Sequence, residues 1–271
     1  MLQGIKIVNL AVNLPGPAAA QRLSAMGASV IKVEPLSGDP MERYNSQWYQ
    51  NMAVGHEIIR INLKEPQGKD ELFRLLVKAD LLLAATRPSA MQRLGLDFEQ
   101  LRKQFPKLCM VSITGYPAPF ENEAGHDLTY QAKNGLVDPP HMPRTLISDM
   151  AGSEQAVSSA LALLLQRQLT GSSAEIVVPL SEAAEMMAEP LRYGSTAPGA
   201  ILGGGLPEYN LYQATDGWIA VAALEPHFKS RLEESLNICS VDEYRTAFAK
   251  KTVGYWKEWG QRLDLPIDIV R

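Results

Sequence analysis

Two side chains in this 271-residue chain have the types and surroundings for proton transfer. His126 lies in "EAGHDLTYQAKNG" (Glu123 to Gly135), and Asp149 lies in "TLISDMAGSEQA". An imidazole and a carboxylate brought to one cleft make an acid/base pair, provided each is tuned to work near neutral pH. Each residue also has a plain structural account. Asp149 stands just before a long helical run, where a carboxylate stabilises free N–H groups and the helix dipole. His126 satisfied by backbone would be packing only. Spacing alone leaves both accounts open.

Other chemistries find less support. The four histidines form no HxxxH pair and no CxxC occurs, so no metal site is expected. Glu34 ends the second strand-like run, about where a dinucleotide fold holds a ribose hydroxyl. The glycine fingerprint is absent, however. Only Gly16 lies in the first turn, between Pro15 and Pro17, so a plain α/β turn is the better reading. A net charge of -4 argues against nucleic acid as a partner. The longest apolar run, "ALALLL", is far too short to span a membrane. With no cleavable signal pattern ahead of "IKIVNLAV" and only two distant cysteines, Cys109 and Cys239, the expected setting is the cytoplasm.

The elements that must position these residues are legible in the pattern. "IKIVNLA", a helix in "PGPAAAQRLSAMG" and "SVIKVEP" read as a βαβ unit, with Pro17 in the first helical turn and Gly27 as its C-terminal cap. Strand and helix then alternate through "IIRINL", "EPQGKDELFRLLVKA", "DLLLAA", "DFEQLRKQFP" and "LCMVSITGY". The run "SEQAVSSALALLLQRQLTG" carries a helical apolar stripe, and "AEIVVPL" a further strand. The expected fold class is α/β: a Rossmann-like, doubly wound parallel sheet domain over residues 1–193. A Gly/Pro-rich linker is expected over 194–210, and a partial small α+β domain over 211–271, with a hairpin at Asp216-Gly217.

Several stretches together resemble the class III CoA-transferase family, which includes formyl-CoA transferase, carnitine CoA-transferase and the 2-methylacyl-CoA racemases. They are "GIKIVNLAVNLPGPAAAQRLSAMGASVIKVEPLSGDP", the block from "INLKEPQGK" to "VSITGYP", "GHDLTYQAKNGL", "LISDMAG" and "YQATDGWIAVAALEPHF". They follow the family's order over nearly the whole chain. "GHDLTY" is most similar to the racemase branch, because many transferases carry Tyr where this chain has His126. The resemblance implies Asp149 as the catalytic aspartate, His126 as the racemase histidine and Glu225, in "ALEPHF", as a supporting glutamate. It also implies an acyl-CoA thioester as substrate, with coenzyme A part of the substrate and no separate cofactor. Gly16, Arg87 and Tyr130 are then the candidates to contact coenzyme A, and an intertwined homodimer is the expected assembly.

A racemase removes the proton α to a thioester and returns it on the other face of a planar enolate, which His126 and Asp149 together suit. The second reading is a CoA-transferase in which Asp149 attacks the thioester as a nucleophile. The third is a non-catalytic relative or partner-dependent subunit, prompted by departures from the family pattern. Pro35 stands where Arg is frequent, His56 and Glu57 replace a basic segment, and "TGSSA" replaces "TGKGQ". The segment between His126 and Asp149 is short and proline-rich, and the chain stops where relatives return to the large domain.

Overall fold

The computed structural model describes residues Met1–Arg271 and divides into two units, Met1–Ala188 and Glu189–Arg271. In the first unit the strands are β1 (Lys6–Asn9), β2 (Ser29–Glu34), β3 (Glu57–Arg60), β4 (Leu81–Ala84), β5 (Cys109–Thr114) and β6 (Glu175–Pro179). They form one parallel sheet in the order β3-β2-β1-β4-β5-β6, the doubly wound arrangement that the alternating pattern predicts. The helices are α1 (Pro15–Ala25), α2 (Pro40–Tyr44), α3 (Ser46–Met52), α4 (Pro66–Leu76), α5 (Pro88–Leu94), α6 (Phe98–Gln104), α7 (Asp127–Lys133), α8 (Ile147–Thr170) and α9 (Leu180–Met187).

Burial on both faces explains why the central strands read as continuous apolar runs. In β4, Leu81 and Leu83 pack toward α1 and α8, against Ala19, Ala20, Leu23, Ala156 and Ala160. Leu82 and Ala84 pack the other way, against Leu72, Leu76, Met91 and Leu101 of α4, α5 and α6. Small residues on α1 let the helix lie close to the sheet. Gly16 is the extreme case, since a Cβ there would overlap the Ala11 side chain.

Three helices escape the periodic reading. The short α2, α3 and α5 begin at local caps instead: the Asp39 side chain accepts from Met41 N–H, that of Asn45 from Trp48 N–H, and Pro88 opens α5. More consequential, α8 starts at Ile147, six residues ahead of the run that carries the apolar stripe.

The second unit contains α10 (Glu189–Arg192), a wide helical turn at Ile201–Gly205, β7 (Tyr209–Gln213), β8 (Trp218–Ala222), α11 (Pro226–Leu236), α12 (Val241–Phe248), α13 (Val253–Arg262) and β9 (Ile267–Val270). The strands form an antiparallel sheet, β7-β8-β9. Its core joins Tyr212, Ile219, Tyr244, Phe248 and Trp256, and the Trp256 indole donates to the Phe248 carbonyl at 2.8 Å. The division falls after Ala188 rather than after 193, and 194–210 belongs to this unit. The reason is local hydrogen bonding: Gly205 N–H donates to Ala200, Leu202 N–H to Ser195, and the Asn210 side chain to Gly204. No helix is long and apolar enough to cross a membrane.

Gly16→Ala should destabilise the first unit by about 1–3 kcal/mol through overpacking, and adding Ala11→Gly should recover most of that loss. Urea unfolding of the parent and the two variants measures both. Equal stability of all three would show that this contact yields freely.

Candidate active site

The sheet's carboxyl edge is where a doubly wound fold leaves its crevice. A cavity of about 240 Å³ lies there, its wall including Asn13 after β1, Arg87 after β4, Thr114 at the end of β5, and His126, Tyr130 and Asp149. The topology thus brings His126 and Asp149, 23 residues apart in sequence, to one cavity, and sets Arg87 and Tyr130 beside them.

His126 is the residue immediately before α7, in extended conformation, with its side chain exposed. Its backbone is pinned by Thr129: the His126 N–H donates to Thr129 Oγ1 at 3.0 Å, and the Thr129 hydroxyl donates to the His126 carbonyl at 2.8 Å. The chain direction at the imidazole is therefore set by "HDLT" itself.

Asp149 sits in the first turn of α8 rather than ahead of it, because the helix begins early. Leu146, the residue before α8, has no side chain able to cap it. The cap comes from Asp127 at the start of α7, whose Oδ1 accepts from Ser148 N–H at 2.8 Å and Asp149 N–H at 3.1 Å. Gln131 donates to the other oxygen of Asp127 and to the Thr145 carbonyl. A carboxylate in a first helical turn is ordinarily favoured as the anion. At Asp149 the opposite holds: burial, then the neighbouring Asp127, pushes its pKa up to about 7.

Tyr130 is fully buried, edge-on to Tyr116, with Gly115 and Gly125 leaving room for its ring. Burial first, then Tyr116 and Asp149, push its pKa up to about 12, against the opposing pull of Arg87, so it stays a neutral phenol. Arg87 itself is exposed at the start of α5. Gly16 is not on the wall; Pro15 is, and the missing side chain at Gly16 serves the contact with Ala11. Glu225 lies in the second unit, exposed, as the cap residue of α11.

A second, larger cavity of about 810 Å³ lies along the ends of β1, β2 and β3, with Lys64, Lys69 and Arg93 on its wall. Sequence reasoning passed over these cations. The available signal was position, since Lys64 and Lys69 follow β3 directly, at the edge where such folds bind ligands. Glu34 is also on this wall, yet its carboxylate is engaged inside the protein. It meets Lys32 at 3.1 Å and accepts from the Tyr49 hydroxyl at 2.8 Å.

A family model for CoA-transferase family III matches residues 2–268. The chain belongs to that family. The alpha-methylacyl-CoA racemase of Mus musculus is 29% identical over 94% of this chain and 74% of its own length. The succinyl-CoA–D-citramalate CoA-transferase of Chloroflexus aurantiacus is 29% identical over 87% and 64%. Among solved structures, a CAIB/BAIF family protein from Brucella suis matches with a TM-score of 0.83 at 22% identity, over 100% of this chain and 84% of its own. A hypothetical protein from Mycobacterium tuberculosis gives 0.84 at 24%, over 99% and 83%. These two show the fold. As a member of a family of racemases and CoA-transferases, the chain is an enzyme.

The raised pKa of Asp149 has a sign that stability measurements can read. Its folded value lies above the ordinary 3.8, so its contribution is whole below about pH 4 and is lost as pH rises through about 7. Asp149→Asn, which stays neutral, should therefore gain on the parent between pH 5 and 8. The gain should be on the order of 1–2 kcal/mol, since water in the cavity screens the charge. Unfolding midpoints at pH 5, 6, 7 and 8 check this; parallel curves would mean that Asp149 titrates normally.

Proposed function

We propose that the protein is an acyl-CoA racemase or epimerase that moves the proton α to the thioester carbonyl. The reading rests on one observation: His126 and Asp149 share one cavity wall, with the carboxyl tuned to about pH 7. One group takes the α-proton as the C–H bond breaks, and the electron pair moves into the enolate. The other, already protonated, returns a proton to the opposite face as the C–H bond re-forms. For the reverse substrate the roles exchange. No redox partner is needed. The α7 N-terminus, which begins at the cavity wall, offers backbone N–H groups to the enolate oxygen.

Relatives that are CoA-transferases support the second reading, in which Asp149 attacks the thioester. The tuning of Asp149 disfavours it, because a carboxyl half-protonated near neutrality is a weakened nucleophile and a well-matched acid or base. For the nucleotide end of coenzyme A, the larger cavity is the better host. Lys64, Lys69 and Arg93 offer it charge-assisted bonds to phosphate. Arg87, beside Asp149, then serves the thioester end.

Incubating 2-methylacyl-CoA esters in deuterated water should place deuterium at the α-carbon, without an acyl adduct on Asp149 by mass spectrometry. His126→Ala should lower that exchange by about 10²–10⁴-fold with little loss of stability. The same assay should give Arg93→Ala a higher KM with kcat kept. An adduct without exchange would move the assignment to the transferase; neither signal would leave a non-catalytic relative.

We also propose a homodimer. On α8, Leu161, Leu165 and Leu169 recur every fourth residue and are exposed, Leu165 by 56% and Leu169 by 75%. Sedimentation should give twice the chain mass for the parent and a shift toward monomer for Leu165→Glu. A monomeric parent at micromolar concentration would end the proposal.

A further inference from the structure

The start of α8 is held by a charge that the proton-transfer scheme does not itself use. Asp127 is 5% exposed, and its two carboxylate oxygens face three donors: Ser148 N–H, Asp149 N–H and the Gln131 side-chain amide. Gln131 and Ser148 are buried with it, at 3% and 0% exposure. Asp127 opens α7, Gln131 lies one turn on, and Ser148 is in the first turn of α8, so the cluster ties together the two helix starts that carry His126 and Asp149.

We propose that Asp127 is a positioning residue for the acid/base pair, fixing Asp149 through the first turn of α8 and setting a second carboxylate beside it. The inference rests on the racemase reading for its consequence in catalysis, although its physical basis lies in the cluster alone. Two effects follow from one carboxylate. First, accepting the N–H of Asp149 itself fixes the backbone from which that side chain springs. Second, Asp127 occupies N–H groups whose partial positive charge would otherwise favour ionised Asp149. Its own negative charge acts in the same direction. The other charged or titratable groups on the cavity wall are Arg87, Glu121, Glu123, His126 and Tyr130. Of the charged groups around the cavity, Asp127 is the one whose charge pushes Asp149 up, and it alone accepts the Ser148 and Asp149 N–H groups through a side chain.

The decisive comparison is between charge and shape. Asp127→Asn keeps an oxygen acceptor for α8 but removes the charge; Asp127→Glu keeps the charge on a longer arm. ¹³C NMR of the Asp149 carboxyl, assigned with Asp149→Asn, reads the titration without any substrate. In Asp127→Asn the Asp149 midpoint should fall by about one pH unit or more, the size of effect expected for one neighbouring charge. The limb of the exchange pH profile that reports Asp149 should fall with it. Asp127→Glu should bring the midpoint back toward that of the parent. If Asp127→Asn does not fold, Asp127→Ser offers a neutral capping oxygen in its place. An unmoved Asp149 midpoint in a folded neutral variant overturns the proposal, even where exchange persists. A lowered midpoint in a protein that shows no exchange at all upholds Asp127 and removes the racemase reading instead.

Discussion

The contact between the Asp127 carboxylate and the first turn of α8 is the interaction on which the site depends. A buried carboxylate is costly unless donors surround it, and here three do. A hydrogen bond to a charged group contributes about 1.5–3 kcal/mol, so this cluster also ties the start of α8 to α7. Its larger effect is geometric. It starts α8 early enough to carry Asp149, and it joins that start to the turn that presents His126.

A second buried ionic cluster shapes the other side of the crevice. Lys32 Nζ lies 2.5 Å from Asp39 and 3.1 Å from Glu34, with the Tyr49 ring 4.5 Å away. Asp39 meanwhile accepts from Asn13 N–H and from Met41 N–H, so it joins the end of β2 to the loop after β1 and to the start of α2. Asn13 lies on the wall of the smaller cavity. The residue that would have held a ribose in a dinucleotide-binding protein is instead part of the scaffold. Nearby His56 has its pKa lowered by burial and then by Lys32, which keeps it neutral.

The two cavities share the carboxyl edge and Val12, yet their chemistry differs. The larger is edged with cations suited to phosphate. The smaller holds a neutral phenol, an imidazole and a carboxyl whose proton is loosely held near pH 7. On the proposed reading, a long substrate with a charged nucleotide end and a weakly acidic C–H at the other matches the two cavities in turn.

The amino-acid pattern by itself determined the parallel sheet, because β1, β2, β4 and β5 are buried on both faces and the helices between them are periodic. It also determined the hairpin at Asp216-Gly217 and the helices after it, whose caps and apolar stripes are local. The types and order of His126, Asp149 and Arg87 were legible too, through motifs that resemble a known family. What only the tertiary structure decided follows from contacts distant in sequence. The start of α8 was misread because its cap is Asp127, 21 residues before Ser148, while Leu146 gives no local signal. Residues 194–210 read as a linker because Gly and Pro mark turns, yet hydrogen bonds from Gly205 and Asn210 fold that stretch into the second unit. At Gly16, expected as a ligand contact, the structure adds a second reason for glycine, since a Cβ there would meet the Ala11 side chain. Most of all, the acidity of Asp149 was unreadable, since burial and a facing carboxylate set it, and both exist only once α7 and α8 have packed together.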